Sequence, residues 1–394
     1  MNRTWNKIWK IILSYLLIAA CLICMKADVA FAEDTVLLHA KAAVLMDGDT
    51  GRVLYGKNET EILPMASTTK IMTLILALEY GNPEDLVTVS SYAAKMPDVK
   101  LGMLTGEQYR LLDLLYSMML ESHNDSACAV AEHIGGSVES FAKMMNRKAE
   151  ELGLISTYFI TPNGLDAEDA HGVHSTSARD LAKLMRYCVF ISEKKDAFRK
   201  ICQTRQYSFS NKEKTRSFAL YNKNALLDQL EGVIAGKTGF TGDAGYCYVC
   251  AVTIEGKQFI VSLLACGWPH NRQYKWADTK TLLTYGNNRY HFKTIDFSEF
   301  PVPRISVKNG QKNEISCACS GKQNMLLAED EKLYVRVKEN QNLRAPAAVG
   351  DTAGTLYLCC GDAILAKKEI YCTEAVDEKD FSYYQRLVFD CFFY

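Results

Sequence analysis

The stretch from Pro64 to Leu78 constrains this chain more than any other part of the sequence. An apolar run without glycine or proline follows Pro64, which is typical of a loop that leads into a helix. Ser67 and Lys70 are three residues apart, so on a helix their side chains lie on one face. A serine needs a base to become a good nucleophile. A lysine can be that base when burial or a nearby cation lowers its pKa, and the backbone N–H groups at a helix start can hold an oxyanion.

Two further short motifs follow this pair, and their order along the chain makes the set specific. A serine–lysine pair alone is weak evidence, because Ser140 and Lys143 have the same spacing in a polar stretch that is typical of a solvated helix face. Three motifs in a fixed order are far more specific than one. The two later motifs are Ser122-His123-Asn124 and Lys237-Thr238-Gly239.

The three motifs resemble the signature of the serine penicillin-recognising enzymes. The residues around them resemble the low-molecular-weight penicillin-binding proteins that are serine-type D-alanyl-D-alanine carboxypeptidases, peptidase family S11. The matching segments are Ala66–Thr73, Pro162–Leu165 and Glu231–Thr241. The resemblance implies an α+β fold: a β-lactamase/transpeptidase-like catalytic domain, with helices packed on an antiparallel sheet, followed by a small all-β sandwich domain.

The resemblance also implies the catalytic residues. Ser67 would attack the penultimate carbonyl of a peptidoglycan stem peptide ending in D-Ala-D-Ala and form an acyl-enzyme that water releases. Lys70 would accept the Ser67 proton, and Ser122 would relay a proton to the leaving amine. The same serine would be acylated by β-lactam antibiotics. No cofactor and no metal are expected.

Five further residues are implied in substrate binding. Asn124 would orient Lys70 and bind the substrate backbone. Lys237 would attract the terminal carboxylate and, as a second cation, favour the neutral form of Lys70. Thr238 would donate to the same carboxylate, and Gly239 would let the substrate lie beside this strand. The backbone N–H groups of Ser67 and Phe240 would form the oxyanion hole.

Four other polar residues leave alternatives open. Lys275 is nearest to a further basic residue that the family often uses for the carboxylate, or it is a surface lysine. His123 stands where the family commonly has a small residue, and it either narrows the mouth of the site or faces solvent. His171 and His174 flank a glycine in a polar loop and are interpreted as structural.

Rival functions remain for a chain with these motifs. A class A β-lactamase usually has Glu-x-x-x-Asn between the second and third motifs, and no glutamate between Asn124 and Lys237 has asparagine four residues later. A D,D-endopeptidase that cuts cross-links uses the same residues. A non-catalytic penicillin-binding sensor or scaffold is a third reading, which the intact motifs argue against. A net charge of −1 gives no reason to expect nucleic acid binding.

The N-terminus predicts export. Lys7 and Lys10 precede the apolar run Ile11–Cys24, and Ala30-Phe31-Ala32 offers a cleavage site, so residues 1–32 are predicted to be a signal peptide. The run is shorter than the ~20 residues that span a bilayer. A retained anchor and lipidation of Cys21 are the alternatives. The predicted location is extracytoplasmic, peripheral on the outer face of the cytoplasmic membrane.

Apolar periodicity and turn residues predict further helices and strands. The predicted strands are a hairpin of Lys41–Asp47 and Arg52–Tyr55, and then Gly232–Thr238, Gly245–Ile254 and Gln258–Cys266. The predicted helices are Leu111–Met119, Ala127–Ile134, Phe141–Leu152 and Ser175–Phe190.

Changes in sequence character predict the domain organisation. Residues 33–296 would form the catalytic domain and 297–376 the sandwich, with Phe300–Pro303 at the boundary. Residues 377–394 would form an amphipathic tail that contacts the membrane surface or docks on the sandwich. Its apolar stripe consists of Phe381, Tyr384, Leu387, Val388, Cys391 and Phe392.

The cysteines are unusual for an exported chain. There are 14, of which Cys21 and Cys24 fall in the predicted leader, leaving 14 − 2 = 12. Cys247 and Cys250 lie in a strand-like run where residues three apart point to opposite faces, which argues against a metal site. Most are interpreted as small buried apolar residues, and their pairing stays open.

Overall fold

Two groups of elements make up the structure, which is a computed structural model describing residues 36–361 and 363–393. The predicted signal peptide lies outside the described residues. The longer helices are α1 (Lys70–Tyr80), α2 (Leu111–Leu120), α3 (Asn124–Gly135), α4 (Val138–Glu151), α5 (Ala178–Arg186), α6 (Lys195–Gln203), α7 (Tyr274–Arg289) and α8 (Phe381–Phe393). Short helices are Ser91–Ala94 and Leu226–Gln229, with 3₁₀ turns at Ala66–Thr69 and Phe297–Glu299 and a π turn at Tyr187–Ile191.

A five-stranded antiparallel sheet carries the third motif. Its strands are β1 (Ala42–Asp47), β2 (Val53–Lys57), β3 (Val233–Thr241), β4 (Gly245–Ile254) and β5 (Lys257–Leu264). The order across the sheet is β3-β4-β5-β1-β2, so β3 is an edge strand. In the register, Lys237 lies opposite Val249 and Gly239 opposite Cys247. The predicted hairpin and the three later strands are therefore confirmed.

Both faces of this sheet are covered, as its apolar strands require. Val44 and Met46 on β1 belong to the main hydrophobic cluster, which includes α1, α2, α3 and α5. Alternate residues of a strand point to the other face. There Leu45 meets α7, where a Cβ added to Gly286 would lie 2.6 Å from Leu45 Cδ2. Helices on an antiparallel sheet are the predicted α+β arrangement.

The helix that bears Lys70 is the centre of the main cluster. Every residue of α1 from Lys70 to Leu78 is buried. A helix that is apolar all round is stable only when it is enclosed on all sides. The enclosing elements are α2, α4, α5 and α6 together with the neighbouring α3. Lys70 is thus a charged residue type placed where water does not reach.

The structure differs from the predicted elements in one boundary and in one hairpin. The helix predicted from Ser175 begins at Ala178, because Ser175–Thr176 pairs as a short strand with Leu63–Pro64. The region after α6 also contains a hairpin, Gln206–Ser210 with Ser217–Tyr221, which the sequence pattern did not predict. Other short strands are Leu86–Thr88 with Gln108–Arg110 and Glu168–Asp169 with Gly172–Val173.

The C-terminal part is built from strands around a second hydrophobic cluster. Its strands are β6 (His291–Asp296), β7 (Cys317–Ala318), β8 (Lys322–Leu327), β9 (Leu333–Glu339), β10 (Thr352–Cys360) and β11 (Ala363–Cys372), with a short pair Ile305–Ser306 and Glu314–Ile315. Four of them form a sheet in the order β7-β11-β10-β9, and β6 pairs with β8. The domain boundary at residue 296 stays a prediction, although this pairing puts β6 with the C-terminal strands.

The predicted tail helix is present as α8. Its apolar side chains are exposed, from 43% at Leu387 to 80% at Phe392. Docking of the stripe on the strands is therefore not the arrangement in this structure. No helix among the described residues has both the length and the apolar run needed to cross a bilayer.

The prediction for the cysteines is confirmed for most of them. Of the 12 described cysteines, all with free thiols, Cys317 and Cys360 are half-buried, Cys391 is exposed and the rest are buried. Within the described ranges, no group of three or more His, Cys, Asp or Glu side chains is arranged to hold a metal ion.

Candidate active site

Ser67 and Lys70 lie where a 3₁₀ turn passes into α1. The turn spans Ala66–Thr69 and the α-helix begins at Lys70 itself, so Ser67 lies in the turn before the helix. Lys70 Nζ is 2.8 Å from Ser67 Oγ. The predicted pair is therefore in direct contact, across one tight turn of backbone.

Lys70 has two other hydrogen-bond partners, and both are oxygen atoms that can only accept a hydrogen bond. Its Nζ lies 2.9 Å from Asn124 Oδ1 and 2.6 Å from the carbonyl oxygen of Asn163. The Asn124 amide is oriented by its Nδ2, which donates to the Pro97 carbonyl at 3.2 Å. A neutral amine has two N–H donors and one lone pair. With both donors directed at Asn124 and Asn163, the lone pair is left for the Ser67 hydroxyl.

The electrostatics of the site favour this neutral amine. Burial lowers the pKa of Lys70 well below its ordinary value, and the charge of Lys237 lowers it further. Desolvation disfavours the charged form of a lysine, and a nearby cation does the same. Cys128 and then Asp125 act in the opposite sense, and each has a smaller effect on the pKa of Lys70 than Lys237 has. Lys70 can therefore serve as a base near neutral pH.

The second motif lies between α2 and α3. Ser122 has φ +70°, a left-handed conformation that is rare for a residue with a side chain and is found at functional sites. His123 is the N-cap of α3, and Asn124 is the first residue of that helix and is buried. This turn brings Ser122 and Asn124 to the same cleft as Ser67.

The third motif reaches the cleft from β3. Lys237 Nζ donates to Ser122 Oγ at 2.9 Å and to the carbonyl of Thr238 at 3.0 Å. Burial lowers the pKa of Lys237 to about 7. The two lysines are thus held in one dry region, each next to a serine hydroxyl.

The edge strand approaches the nucleophile closely at Gly239. A Cβ added there would lie 3.0 Å from the backbone nitrogen of Ser67, so only glycine fits without displacement. Phe240, which follows, is 42% exposed and packs on Tyr246. Among the described residues, a cleft of about 390 Å³ is lined by Ser67, Ser122, Asn124, Thr238, Gly239 and Phe240 together with residues such as Val99 and Lys275.

Comparison with known proteins decides the family. The sequence profile of peptidase family S11, described as D-alanyl-D-alanine carboxypeptidase, matches residues 29–266. The chain belongs to this family. It is 32% identical over 386 residues to D-alanyl-D-alanine carboxypeptidase DacF of Bacillus subtilis, which covers 94% of this chain and 96% of that protein.

Other relatives of this S11 chain include a second named activity. A D-alanyl-D-alanine endopeptidase of Escherichia coli is 28% identical over 72% of this chain and 86% of its own length. The structure of penicillin-binding protein 5 from Haemophilus influenzae superposes with a TM-score of 0.68 at 26% identity, covering 87% of this chain and 98% of that one. The S11 chain therefore has the fold of a low-molecular-weight penicillin-binding protein.

Two residues of this S11 site, Asn163 and Gly164, were given no role by the sequence-based prediction. The carbonyl oxygen of Asn163, which accepts from Lys70, also lies 3.3 Å from Ser67 Oγ. Gly164 has φ +84°, and a Cβ added there would lie 2.0 Å from the carbonyl oxygen of Ala66. The Pro162–Leu165 segment therefore packs on the turn that holds Ser67. The resemblance of this segment to the family was the one sequence feature that could have indicated its part in the site.

Lys275 is not a surface lysine. It is buried, lines the cleft, and its Nζ donates to the Arg272 carbonyl at 2.6 Å. The Nζ lies 4.5 Å from the centre of the Tyr246 ring and 4.9 Å from that of Trp276. Burial lowers its pKa. A cation held by two rings beside the third motif is placed to meet an anion in the cleft.

The histidines of the loops have structural surroundings. His123 is buried rather than at the mouth of the cleft or in solvent, with Nδ1 2.8 Å from Ser117 Oγ. His174 is also buried, and its Nδ1 accepts from the backbone N–H of Ile160 at 2.9 Å. Its Nε2 is 2.8 Å from Thr69 Oγ1, inside the turn that holds Ser67. His171 is exposed.

Proposed function

We propose that this S11 chain is a serine-type D-Ala-D-Ala carboxypeptidase that removes the terminal D-alanine from peptidoglycan stem peptides. The observation that carries the proposal is the contact of Ser67 Oγ with Lys70 Nζ at 2.8 Å. The two other partners of Lys70 are carbonyl oxygens, which can only accept hydrogen bonds. That arrangement directs the lone pair of a neutral lysine to the serine proton.

Acylation follows from the positions of the serines. Ser67 Oγ attacks the penultimate carbonyl as its proton passes to Lys70. The oxyanion is held by the backbone N–H groups of Ser67 and Phe240, since β3 comes within van der Waals distance of the Ser67 turn at Gly239. Ser122, which accepts a hydrogen bond from Lys237, relays a proton to the amine of the leaving D-alanine. Water then releases the shortened peptide from Ser67.

The carboxylate of the substrate selects the cationic end of the cleft. Lys275 and Thr238 line the cleft and supply a positive charge and a hydroxyl donor. Lys237 adds its charge beside Ser122, to which its Nζ donates. The peptide backbone extends along the free edge of β3, which is open because β3 is the outermost strand of its sheet. Asn124 contributes to the opposite wall. The same geometry receives a β-lactam carboxylate and acyl group, so penicillin acylates Ser67.

A steady-state assay tests the activity. With a pentapeptide ending in D-Ala-D-Ala in excess over enzyme, release of D-alanine should continue through many turnovers. Release of at most one equivalent would instead identify the penicillin-binding sensor. Exposed Lys143 lies three residues after Ser140 on α4, so Lys143→Ala is a control that should keep full turnover.

The endopeptidase alternative is favoured by the E. coli relative named D-alanyl-D-alanine endopeptidase. A cross-linked dimer of stem peptides separates the two activities. We expect the pentapeptide to be cleaved at the higher kcat/KM. A higher kcat/KM on the cross-linked dimer would assign the chain to endopeptidase action.

We also propose that the protein is exported and attaches peripherally to the membrane through α8. The support is the exposed apolar stripe of this helix, with Phe381 76% and Phe392 80% exposed. From Glu378 onward, Lys379 and Arg386 stand against Glu378, Asp380 and Asp390, so anionic lipid gains little from charge. Binding should therefore resist salt.

Flotation with liposomes tests the attachment. The protein should float with neutral phosphatidylcholine vesicles at low and high salt, and a protein ending at Ala375 should stay at the bottom of the gradient. A matched variant, Ser382→Ala, changes the helix off the stripe and should float normally. Equal flotation of full-length and shortened protein would remove α8 as the anchor.

A further inference from the structure

Two cysteines of the C-terminal part face each other across a strand ladder. Cys317 on β7 is in register with Cys372 on β11. Elsewhere in the described strand ladders, each in-register partner of a cysteine is another residue type. The pair is separate from the cleft, so its chemistry does not depend on the proposed activity.

The hydrogen bonds of the ladder define the type of pair. The backbone N–H of Thr373 donates to the carbonyl of Ser316 at 2.9 Å, immediately beside the two cysteines. This makes Cys317 and Cys372 a pair that exchanges no backbone hydrogen bond. Such pairs have Cα atoms about 4.5 Å apart and the closest side chains. A disulfide requires a Cα separation of roughly 4.4–6.8 Å.

We infer that Cys317 and Cys372 are a site of covalent oxidation, which forms a cross-strand disulfide. The two strands already hold the thiols together, so the bond needs no backbone movement. Cys317 is half-buried and Cys372 is buried, so a reagent in solution meets Cys317 first. An extracytoplasmic location supplies the conditions in which disulfides persist.

The chemistry is thiol–disulfide exchange with a disulfide oxidant. The Cys317 thiolate attacks one sulfur of the oxidant, forming a mixed disulfide and releasing the first thiolate. The Cys372 thiolate then attacks the Cys317 sulfur, forming the Cys317–Cys372 bond and releasing the second thiolate. The protein loses two electrons and two protons, and the oxidant is reduced to two thiols.

The cross-link would stabilise the C-terminal part. It closes the chain segment that contains β8, β9 and β10, which restricts the unfolded chain. Cys372 is also the last residue of β11, from which the chain runs on to α8. A disulfide at this position would covalently link β11, the strand that precedes the tail, to its neighbour β7.

Peptide mapping of the full chain tests the bond. The reduced protein is incubated with oxidised glutathione at about pH 9, because burial, with the Cys372 thiol and Glu374, raises the pKa of Cys317 to about 11 and makes the thiolate scarce at neutral pH. After alkylation and digestion with trypsin, peptides 313–322 and 369–379 should appear joined, two hydrogens lighter than their sum.

The first of these peptides also contains Cys319, which provides the matched control. The joined peptides should persist in Cys319→Ser and disappear in Cys317→Ser and in Cys372→Ser. Joining through Cys319, or alkylation or glutathione capping of both Cys317 and Cys372, would overturn the inference.

Thermal unfolding provides a second readout. Oxidation should raise the unfolding midpoint of the C-terminal part by several degrees in the wild type and in Cys319→Ser, and leave Cys317→Ser unchanged. A cross-link that forms without raising the midpoint would refute the stabilising role.

Discussion

The Nζ of Lys70 lies 2.6 Å from the backbone carbonyl oxygen of Asn163, 93 residues further along the chain. A carbonyl oxygen has no proton to give, so it uses one N–H of the lysine. The amide oxygen of Asn124 uses the other. The hydrogen-bond partners of Lys70 therefore leave its lone pair free to accept a hydrogen bond from one neighbour, the hydroxyl of Ser67.

Removing Lys70 should stop acylation without removing the nucleophile. Lys70→Ala should slow the formation of the penicillin adduct by about 10²–10⁴-fold, the usual contribution of a general base. Intact-protein mass spectrometry over time measures the rate, and the adduct should map to the peptide that contains Ser67. Ser67→Ala should form no adduct, whereas an adduct that survives in it would disprove the assignment.

The pKa of Lys237 predicts how substrate choice depends on pH. Burial lowers this pKa to about 7, so in the free enzyme Lys237 loses its charge as the pH rises through that value. The kcat/KM for a peptide with a free terminal carboxylate should then fall, while that for the corresponding amide should not. Lys237→Arg is the matched control, because a guanidinium stays charged and should preserve the carboxylate preference to higher pH.

Lys237 also acts on Lys70, which gives an independent readout. Loss of the Lys237 charge removes one of the causes that lower the pKa of Lys70, the larger being burial. In Lys237→Ala the limb of the pH–rate profile that rises with pH should therefore shift to higher pH. An unmoved limb, with equal losses on acid and amide substrates, would contradict both roles.

Gly164 should be needed for the position of Ser67 rather than for folding alone. A Cβ at Gly164 would lie 2.0 Å from Ala66 O and 2.9 Å from Ser67 N, so Gly164→Ala must displace the turn. A displacement of about 1 Å can lower the rate by about 10²-fold. Gly106 has a similar φ, +87°, with no atom within 4 Å of an added Cβ. Gly106→Ala should thus lose stability through backbone strain and keep its acylation rate, and equal slowing in both variants would contradict the prediction.

His174 should make the protein less stable in acid. Burial, and then the charge of Lys70, lowers its pKa from 6.5 to about 4. Between these values the unfolded chain binds a proton that the folded protein does not, so stability is lost as the pH falls. At about 1.4 kcal/mol per unit, the loss reaches about 3 kcal/mol.

Urea unfolding at several pH values measures this contribution. Because His123 and the carboxylates also titrate, the wild type is compared with His174→Gln, which should lose the part of the pH dependence between 6.5 and about 4. The exposed His171, changed in the same way, should leave the profile unaltered. Identical profiles for the wild type and His174→Gln would show that His174 is protonated freely in the fold.

The sequence determined the elements whose signals are local. Apolar periodicity and its interruptions predicted α1, α2, α3 and α4, the β1–β2 hairpin, the strands β3 to β5 and the tail helix α8. The order of the three motifs predicted the family and the residues of the cleft. The signal for each helix or strand depends on side chains within that one element, where the helix or strand period can be read directly. Each of the three motifs is likewise a short run of neighbouring residues.

Only the tertiary structure decided the surroundings of those residues. The Asn163 carbonyl is a backbone atom that every residue possesses, so no pattern marks it as a partner of Lys70. The burial of Lys275, and the register that opposes Cys317 to Cys372, depend on segments far apart in the chain. The lowered pKa values of Lys70 and Lys237 also depend on the tertiary structure. Desolvation and nearby charge act on these lysines only once α1, α3 and β3 enclose them.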